Sequence, residues 1–214
     1  MRKRIAIVAG VVLVLLVVAD FGTRLVAQYA VSRALEGALD LEEQPSVSLG
    51  GFPFLPHLLS GRVPTASVSA GPLTTQGITF EAVELRLTDV RFATGTLLSG
   101  ANHDIHVDDG TGTATIASAN IPATVFGQDI AVRVRFEGGL VRVSSDQLPG
   151  SIHVRATIQE GALVLRPNDE RIPLSVRYHL PEVVPGIRYT SIRVTGSRAT
   201  LTFELHDVDL PCCD

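Results

Sequence analysis

From Pro45 onward the chain alternates apolar and polar residues with a period of two, segment after segment, and this pattern limits it to a largely β architecture. Ala66, Val68 and Ala70 alternate with Ser67 and Ser69, and Val83, Leu85 and Leu87 with Glu84, Arg86 and Thr88. The same rhythm runs through Ile130 to Phe136, Ile152 to Ile158 and Ile172 to Tyr178. Short turns join the segments: Glu137-Gly138-Gly139, Glu160-Gly161 and Gly196-Ser197. Strands this numerous and this closely joined imply antiparallel meanders with one apolar face. At Ile78, Phe80 and Ala82 the phase is opposite to that of Val83 to Leu87, which predicts a β-bulge near Ala82. Residues 92–100 contain two glycines around Leu97 and Leu98 and read as a turn or a single helical turn.

Before the strands comes a different regime. Arg2, Lys3 and Arg4 precede an unbroken apolar run from Ile5 to Ala19, closed by Asp20. This is the charged start and apolar core of an export signal, or of an anchor that is never removed. The basic flank then stays in the cytoplasm and the remainder is exported, to the exterior face of the membrane or to the periplasm or cell wall. Residues 1–19 are therefore read as signal peptide or anchor, and 20–214 as one domain. A helix follows from Phe21 to about Leu39. Val26, Ala30, Ala34, Leu35, Ala38 and Leu39 form an apolar stripe on it, which makes it a membrane-proximal stalk or, the favoured reading, packs against the body.

Charge narrows the partners. The chain has 18 basic and 22 acidic residues, and without Arg2, Lys3 and Arg4 the body holds 15 basic against 22 acidic. A net charge near −7 argues against nucleic acid and against a purely electrostatic grip on anionic lipid. Lys3 is the only lysine, so lysine-nucleophile and P-loop chemistry are absent from the body. The only cysteines, Cys212 and Cys213, are adjacent and build no disulfide framework.

No G-x-S-x-G elbow surrounds any serine, and no histidine has a partner at a catalytic spacing. The densest polar cluster is His103-Asp104-Ile105-His106-Val107-Asp108-Asp109. On a strand His103 and His106 would face opposite sides, and Asp108-Asp109-Gly110 favours a turn, so no metal site is assigned. No cofactor and no catalytic residue is assigned either.

One segment stands apart. Gly50 to Arg62 reads G-G-F-P-F-L-P-H-L-L-S-G-R. Its Gly and Pro residues forbid a continuous helix or a central strand, yet it carries Phe52, Phe54, Leu55, Leu58 and Leu59. Such a segment either buries itself in the core or forms the wall or lip of a site for apolar matter. The G-F-P-F-L…L-L-S-G-R pattern resembles the signature of the LmeA-like phospholipid-binding family of bacterial envelope proteins. The likeness continues through Val83 to Val90 and Gly112 to Ile116, and ends with Leu180-Pro181 and Pro185 to Val194. Two features depart from the family pattern: the Cys212-Cys213 pair, and the short turn Gly196-Ser197-Arg198.

The resemblance implies an α+β fold, an elongated curved antiparallel sheet wrapped around a long N-terminal helix, similar to tubular lipid-binding domains. It implies a non-enzymatic phospholipid-binding role in maintaining or assembling the envelope. On this reading Phe52, Phe54, Leu55, Leu58 and Leu59 line or gate an acyl-chain groove, and Arg62 holds the head group. Burial of acyl CH₂ groups, at about 0.8 kcal/mol each, suffices for binding without a dedicated reactive residue. The rival classes are an envelope hydrolase with a dispersed site and a scaffold domain that binds a protein through its apolar face.

Overall fold

The computed structural model describes residues 2–38, 41–75, 78–93, 103–118, 132–145, 150–169, 175–180, 182 and 186–212. It is α+β, with one long N-terminal helix packed against antiparallel sheets. Helix α1 (Arg2–Ala38) is followed by β1 (Ser46–Leu49), the short helix α2 (Phe54–Leu59), β2 (Arg62–Ala70), β3 (Leu73–Thr75), β4 (Ile78–Phe80), β5 (Ala82–Arg91) and β6 (His103–Ala117). Then come β7 (Val132–Glu137), β8 (Leu140–Ser145), β9 (Ser151–Gln159), β10 (Ala162–Pro167), β11 (Val176–Tyr178), β12 (Arg188–Thr195) and β13 (Arg198–Cys212).

The strands form a six-stranded sheet in the order β1-β2-β5-β6-β13-β12, a five-stranded sheet in the order β11-β10-β9-β8-β7, and the hairpin β3-β4. The five-stranded sheet is the meander that the turn spacing implies. Its turns sit at Gly138 and Gly139 (φ 59° and 80°) and at Glu160 and Gly161 (φ 52° and 77°), the left-handed backbone that primed hairpin turns require. The six-stranded sheet is not a simple meander. β13 inserts between β6 and β12, and its pairing with β6 runs from Arg198–Ala117 to Cys212–His103. Asp108 to Gly110 accordingly lies inside the continuous strand β6 rather than in the expected turn.

The apolar faces make two core clusters, with Ile192 packed against both. Ala66, Val83, Leu87, Ala114, Leu201, Phe203 and Leu205 on the six-stranded sheet are buried, together with Leu73, Ile78 and Phe80 of the β3-β4 hairpin. The five-stranded sheet covers the β12–β13 end of the larger one, where Val134, Phe136, Val141, Val154 and Leu165 pack around Ala199. The expected bulge near Ala82 is instead a break between strands. Ile78 and Phe80 pair with β3, and β5 begins afresh at Ala82 (exposed), which explains the opposite phase. True phase steps occur elsewhere. Core positions lie three apart at Leu87/Val90, Val107/Gly110 and Leu205/Val208, neighbours at one level of the sheet. Asp89 and Asp207 take positive φ within two of these steps, a conformation aspartate tolerates better than most residues.

Gly110 and Gly112 let core side chains reach the β6 backbone. A Cβ on Gly112 would press into the Phe203 ring and stand 2.7 Å from the Glu84 carbonyl oxygen. The apolar run and the following helix are a single continuous α1. It rests along β1 and α2, and Ala27 touches the main core. The expected stripe is mostly uncovered: Val26, Ala30 and Ala34 are exposed and Leu35 is half-buried, while Leu39 lies outside the described residues. The reason is that α2, the β3-β4 hairpin and the second sheet already occupy the apolar face. Residues 94–100, 130–131 and 172–174, which include part of the expected turn and two strand starts, lie outside the described residues.

Candidate functional site

The Gly50–Arg62 segment contains a helix that its prolines had argued against. α2 begins at Phe54, after Pro53, which is joined to Phe52 by a cis bond. Pro56 falls on the third helical position, where no intrahelical acceptor exists for a backbone N–H, so its missing donor does not matter. The helix runs for six residues and stops at Ser60-Gly61, with Ser60 N–H donating to the Pro56 carbonyl at 3.0 Å. Gly61 has φ 69° and passes the chain directly into β2.

This geometry divides the candidate residues. Phe54 is fully buried and Leu58 packs against the same core. Leu55 is half-buried, and its N–H donates to Asp20 Oδ1 of α1 at 2.7 Å. Phe52 and Leu59 point outward, 67% and 71% exposed. The Phe52 ring lies 6.5 Å from that of Phe21 on α1. Arg62 is on the outer side of the sheet, where its guanidinium pairs with both carboxylate oxygens of Asp89, Nε to Oδ1 at 2.5 Å. That hydrogen bond holds the Asp89 carboxyl below its usual range and raises Arg62. The structure thus brings Phe54 and Leu58 together, sets Phe52 beside Phe21, and engages Arg62 with a carboxylate.

A second apolar site had no single motif to announce it. Between the two large sheets lies a cleft of about 60 Å³ with a wholly apolar lining, including Ile116, Phe136, Ala156, Leu163, Ile192 and Leu201. Alternation marks these residues, apart from Leu163 in the wholly apolar run Ala162–Leu165, as inward-facing, but only the sheet packing makes them face one another. The cleft sits at the Ile116 end of β6, whereas α2 enters β2 at the level of Val63, Val90 and Val107. Val107 and Ile116 are nine residues apart on one strand, roughly 30 Å at about 3.3 Å per residue. A larger hollow of about 370 Å³ opens on the opposite face of the six-stranded sheet. Its lining mixes hydroxyls (Ser46, Ser48, Ser67, Ser69, Thr111 and Thr113) with the charges of Glu84 and Arg86 and with Val68 and Leu85, so it is not apolar on every side as the cleft is.

The His103–Asp109 cluster becomes part of an exposed charged belt at the level of the phase steps. His106 Nδ1 lies 2.9 Å from Asp209, and its Nε2 3.1 Å from Asp108 and 3.4 Å from Asp207. His206 lies 2.7 Å from Asp109, and Arg91 2.6 Å from Asp108. Asp209 above all raises the pKa of His106, and Asp109 that of His206. Among the described residues no group of three or more His, Cys, Asp or Glu is arranged to hold a metal ion.

A family model for LmeA-like phospholipid-binding proteins matches residues 18–211. The chain belongs to this family. No curated protein and no solved structure matches it. Membership of the LmeA-like family supports a lipid partner. The match begins at Val18, just before the apolar run closes, and takes in both the α2 segment and the inter-sheet cleft.

Proposed function

We propose that this LmeA-like protein is an exported, non-enzymatic phospholipid-binding protein of the cell envelope that holds acyl chains in the cleft between its two large sheets. The observation that carries this reading is the lining of the cleft, which is apolar on every side. Family membership supports it independently. The helix α1 contributes the cellular side of the argument: Gly10–Gly37 is long and apolar enough to cross a membrane, with a mean hydropathy of 2.1. It serves as export signal or anchor, and the body works on the exterior face of the membrane or in the periplasm or cell wall.

At about 60 Å³ the cleft is only about twice one water molecule's share of liquid volume. Lipid loading therefore requires the five-stranded sheet to move away from β12 and β13. Each buried CH₂ returns about 0.8 kcal/mol, so a few methylenes offset a modest opening. The Gly50–Arg62 segment acts as the gate through which lipid is exchanged. Phe54, Leu55 and Leu58 form its inner wall, Phe52 and Leu59 its outer lip. While a lipid passes this gate, before it reaches the cleft, Arg62 takes its head-group phosphate in place of the Asp89 carboxylate, the same bidentate geometry serving both.

The test is Ala156→Trp, which fills the cleft from β9. The variant and the wild-type chain are purified from a bacterial host and their bound phospholipid is measured by mass spectrometry. Loss of co-purified phospholipid with an unchanged strand signal is expected. Full occupancy in a folded Ala156→Trp variant would place the acyl chains elsewhere. Turnover of added phospholipid by the wild-type protein would favour the hydrolase reading, and a folded protein with no lipid the scaffold reading.

A further inference from the structure

The α2 segment and the cleft are too far apart to grip one acyl chain, since a single tail spans about 15 Å, half the roughly 30 Å hydrocarbon core of a bilayer. The outer side of α2 therefore faces something other than the lipid in the cleft. Asp20 shows what. It closes the apolar run of α1, and a carboxylate presented there to lipid is strongly disfavoured. It is not presented: Asp20 is 6% exposed, and its Oδ1 accepts the Leu55 N–H at 2.7 Å. Helix α2 thus covers the first charge that follows the apolar run of α1, four residues before Arg24.

The apolar surface then continues past Asp20 and across both helices. Val11 to Val18 are exposed around α1, Phe21 follows at 52%, and Phe52 stands against Phe21. Leu59 lies one turn beyond Leu55 on α2, on the same face. From Gly50 to Gly61 there is no acidic side chain, although the body as a whole is acidic. The run Ile5–Ala19 covers only about 22 Å at 1.5 Å per residue, short of the hydrocarbon thickness by about 8 Å. Phe21, Phe52 and Leu59 supply apolar surface where the run falls short.

We propose that Phe21, Phe52 and Leu59 form a lip that docks into the surface of a phospholipid bilayer, and that the Asp20–Leu55 hydrogen bond clamps α2 to α1 to hold the lip there. This sets the body upright on the membrane with the exchange gate at the lipid surface. The inference rests on α1 acting as a membrane anchor, and it goes beyond that by assigning α2 to the same membrane.

The chain contains no tryptophan, so one introduced indole reports one position. Phe52→Trp and Leu59→Trp are made in the full chain, with Leu15→Trp as the probe of the span and Val176→Trp, exposed on β11, as the probe of the body. Each is reconstituted into vesicles of phosphatidylglycerol and phosphatidylethanolamine carrying brominated phospholipid, after circular dichroism has shown an unchanged fold. Trp at 52 and 59 is expected to be quenched several-fold more than Trp at 176. The quenching should be strongest with bromines near the head-group end of the chain and should grow with their mole fraction. Asp20→Ala should weaken the quenching at 52 and 59 and leave that at 15 unchanged. Quenching at 15 alone overturns the lip and leaves the anchor standing. Shielding of 52 and 59 from water without lipid quenching points to a second copy of the chain and also overturns it. So does quenching that saturates at one brominated lipid per chain, which reports a bound ligand rather than a bilayer. If 15, 52 and 59 all stay bright, the anchor and the lip fail together.

Discussion

Phe54→Ala separates core from gate within a segment where sequence alone left the two entangled. Phe54 is fully buried, beside the Val63–Val90–Val107 row. Truncating such a ring forfeits a transfer contribution of about 1.5–3 kcal/mol, and the cavity left behind brings the total to about 3–5 kcal/mol. Phe52 and Leu59, both mostly exposed, should change stability by no more than about 0.5 kcal/mol when cut to alanine. With a urea m-value of about 3 kcal/mol/M, at the upper end of the range for small proteins, the midpoint should fall by about 1–1.7 M for Phe54→Ala. For the two exposed positions it should fall by less than about 0.2 M. The assay is urea unfolding of delipidated full chain in a mild detergent, followed by circular dichroism at the strand band, with lipid occupancy measured in parallel. A Phe54→Ala midpoint within 0.2 M of wild type, at unchanged m-value, would refute the reasoning and return Phe54 to the lipid-facing surface. A fall above about 1 M for Phe52→Ala would refute the division of the segment into inner and outer residues.

Gly112→Ala should destabilise by at least about 1–3 kcal/mol, because the added methyl meets the Phe203 ring and the Glu84 backbone oxygen. Adding Phe203→Leu should recover only part, since the backbone contact remains; full recovery in the thermal midpoint would contradict this packing. His106 and His206 should titrate above 6.5, and Asp209→Asn and Asp109→Asn should bring them down respectively, as read by NMR of the ring protons. Because the folded values are raised, the stabilisation these ion pairs provide is fully present below about pH 6.5 and fades as pH rises through the folded pKa. A stability curve that instead rises across that window in the wild type and not in the two variants would reverse the sign. Arg62→Gln should leave the thermal midpoint nearly unchanged, as an exposed ion pair contributes little, and should raise the Asp89 pKa. If phospholipid occupancy is also unchanged, Arg62 does not hold the head group.

What the sequence determined by itself is the set of local rules. Period-two alternation placed inward residues such as Val83, Leu87, Val134 and Val154 correctly, because side-chain direction in a strand is fixed by the backbone. The glycine turns at 138–139 and 161 were legible for the same reason: left-handed φ selects residue type locally. The signature around Gly50–Arg62 was legible as family, and the fold class followed from it. Three things were decided only in three dimensions. β13 pairs with β6 across nearly a hundred residues, and no local preference encodes which edges meet. The apolar cleft exists only because two sheets pack face to face, so its lining is scattered over nine strands of ordinary inward positions. And the five apolar residues of the α2 segment were sorted by a short helix, which turned Phe54 and Leu58 into the core and left Phe52 and Leu59 outside. Composition carries no record of that sorting, because burial depends on which surface lies opposite, and here that surface is β2, β5 and Asp20 of α1.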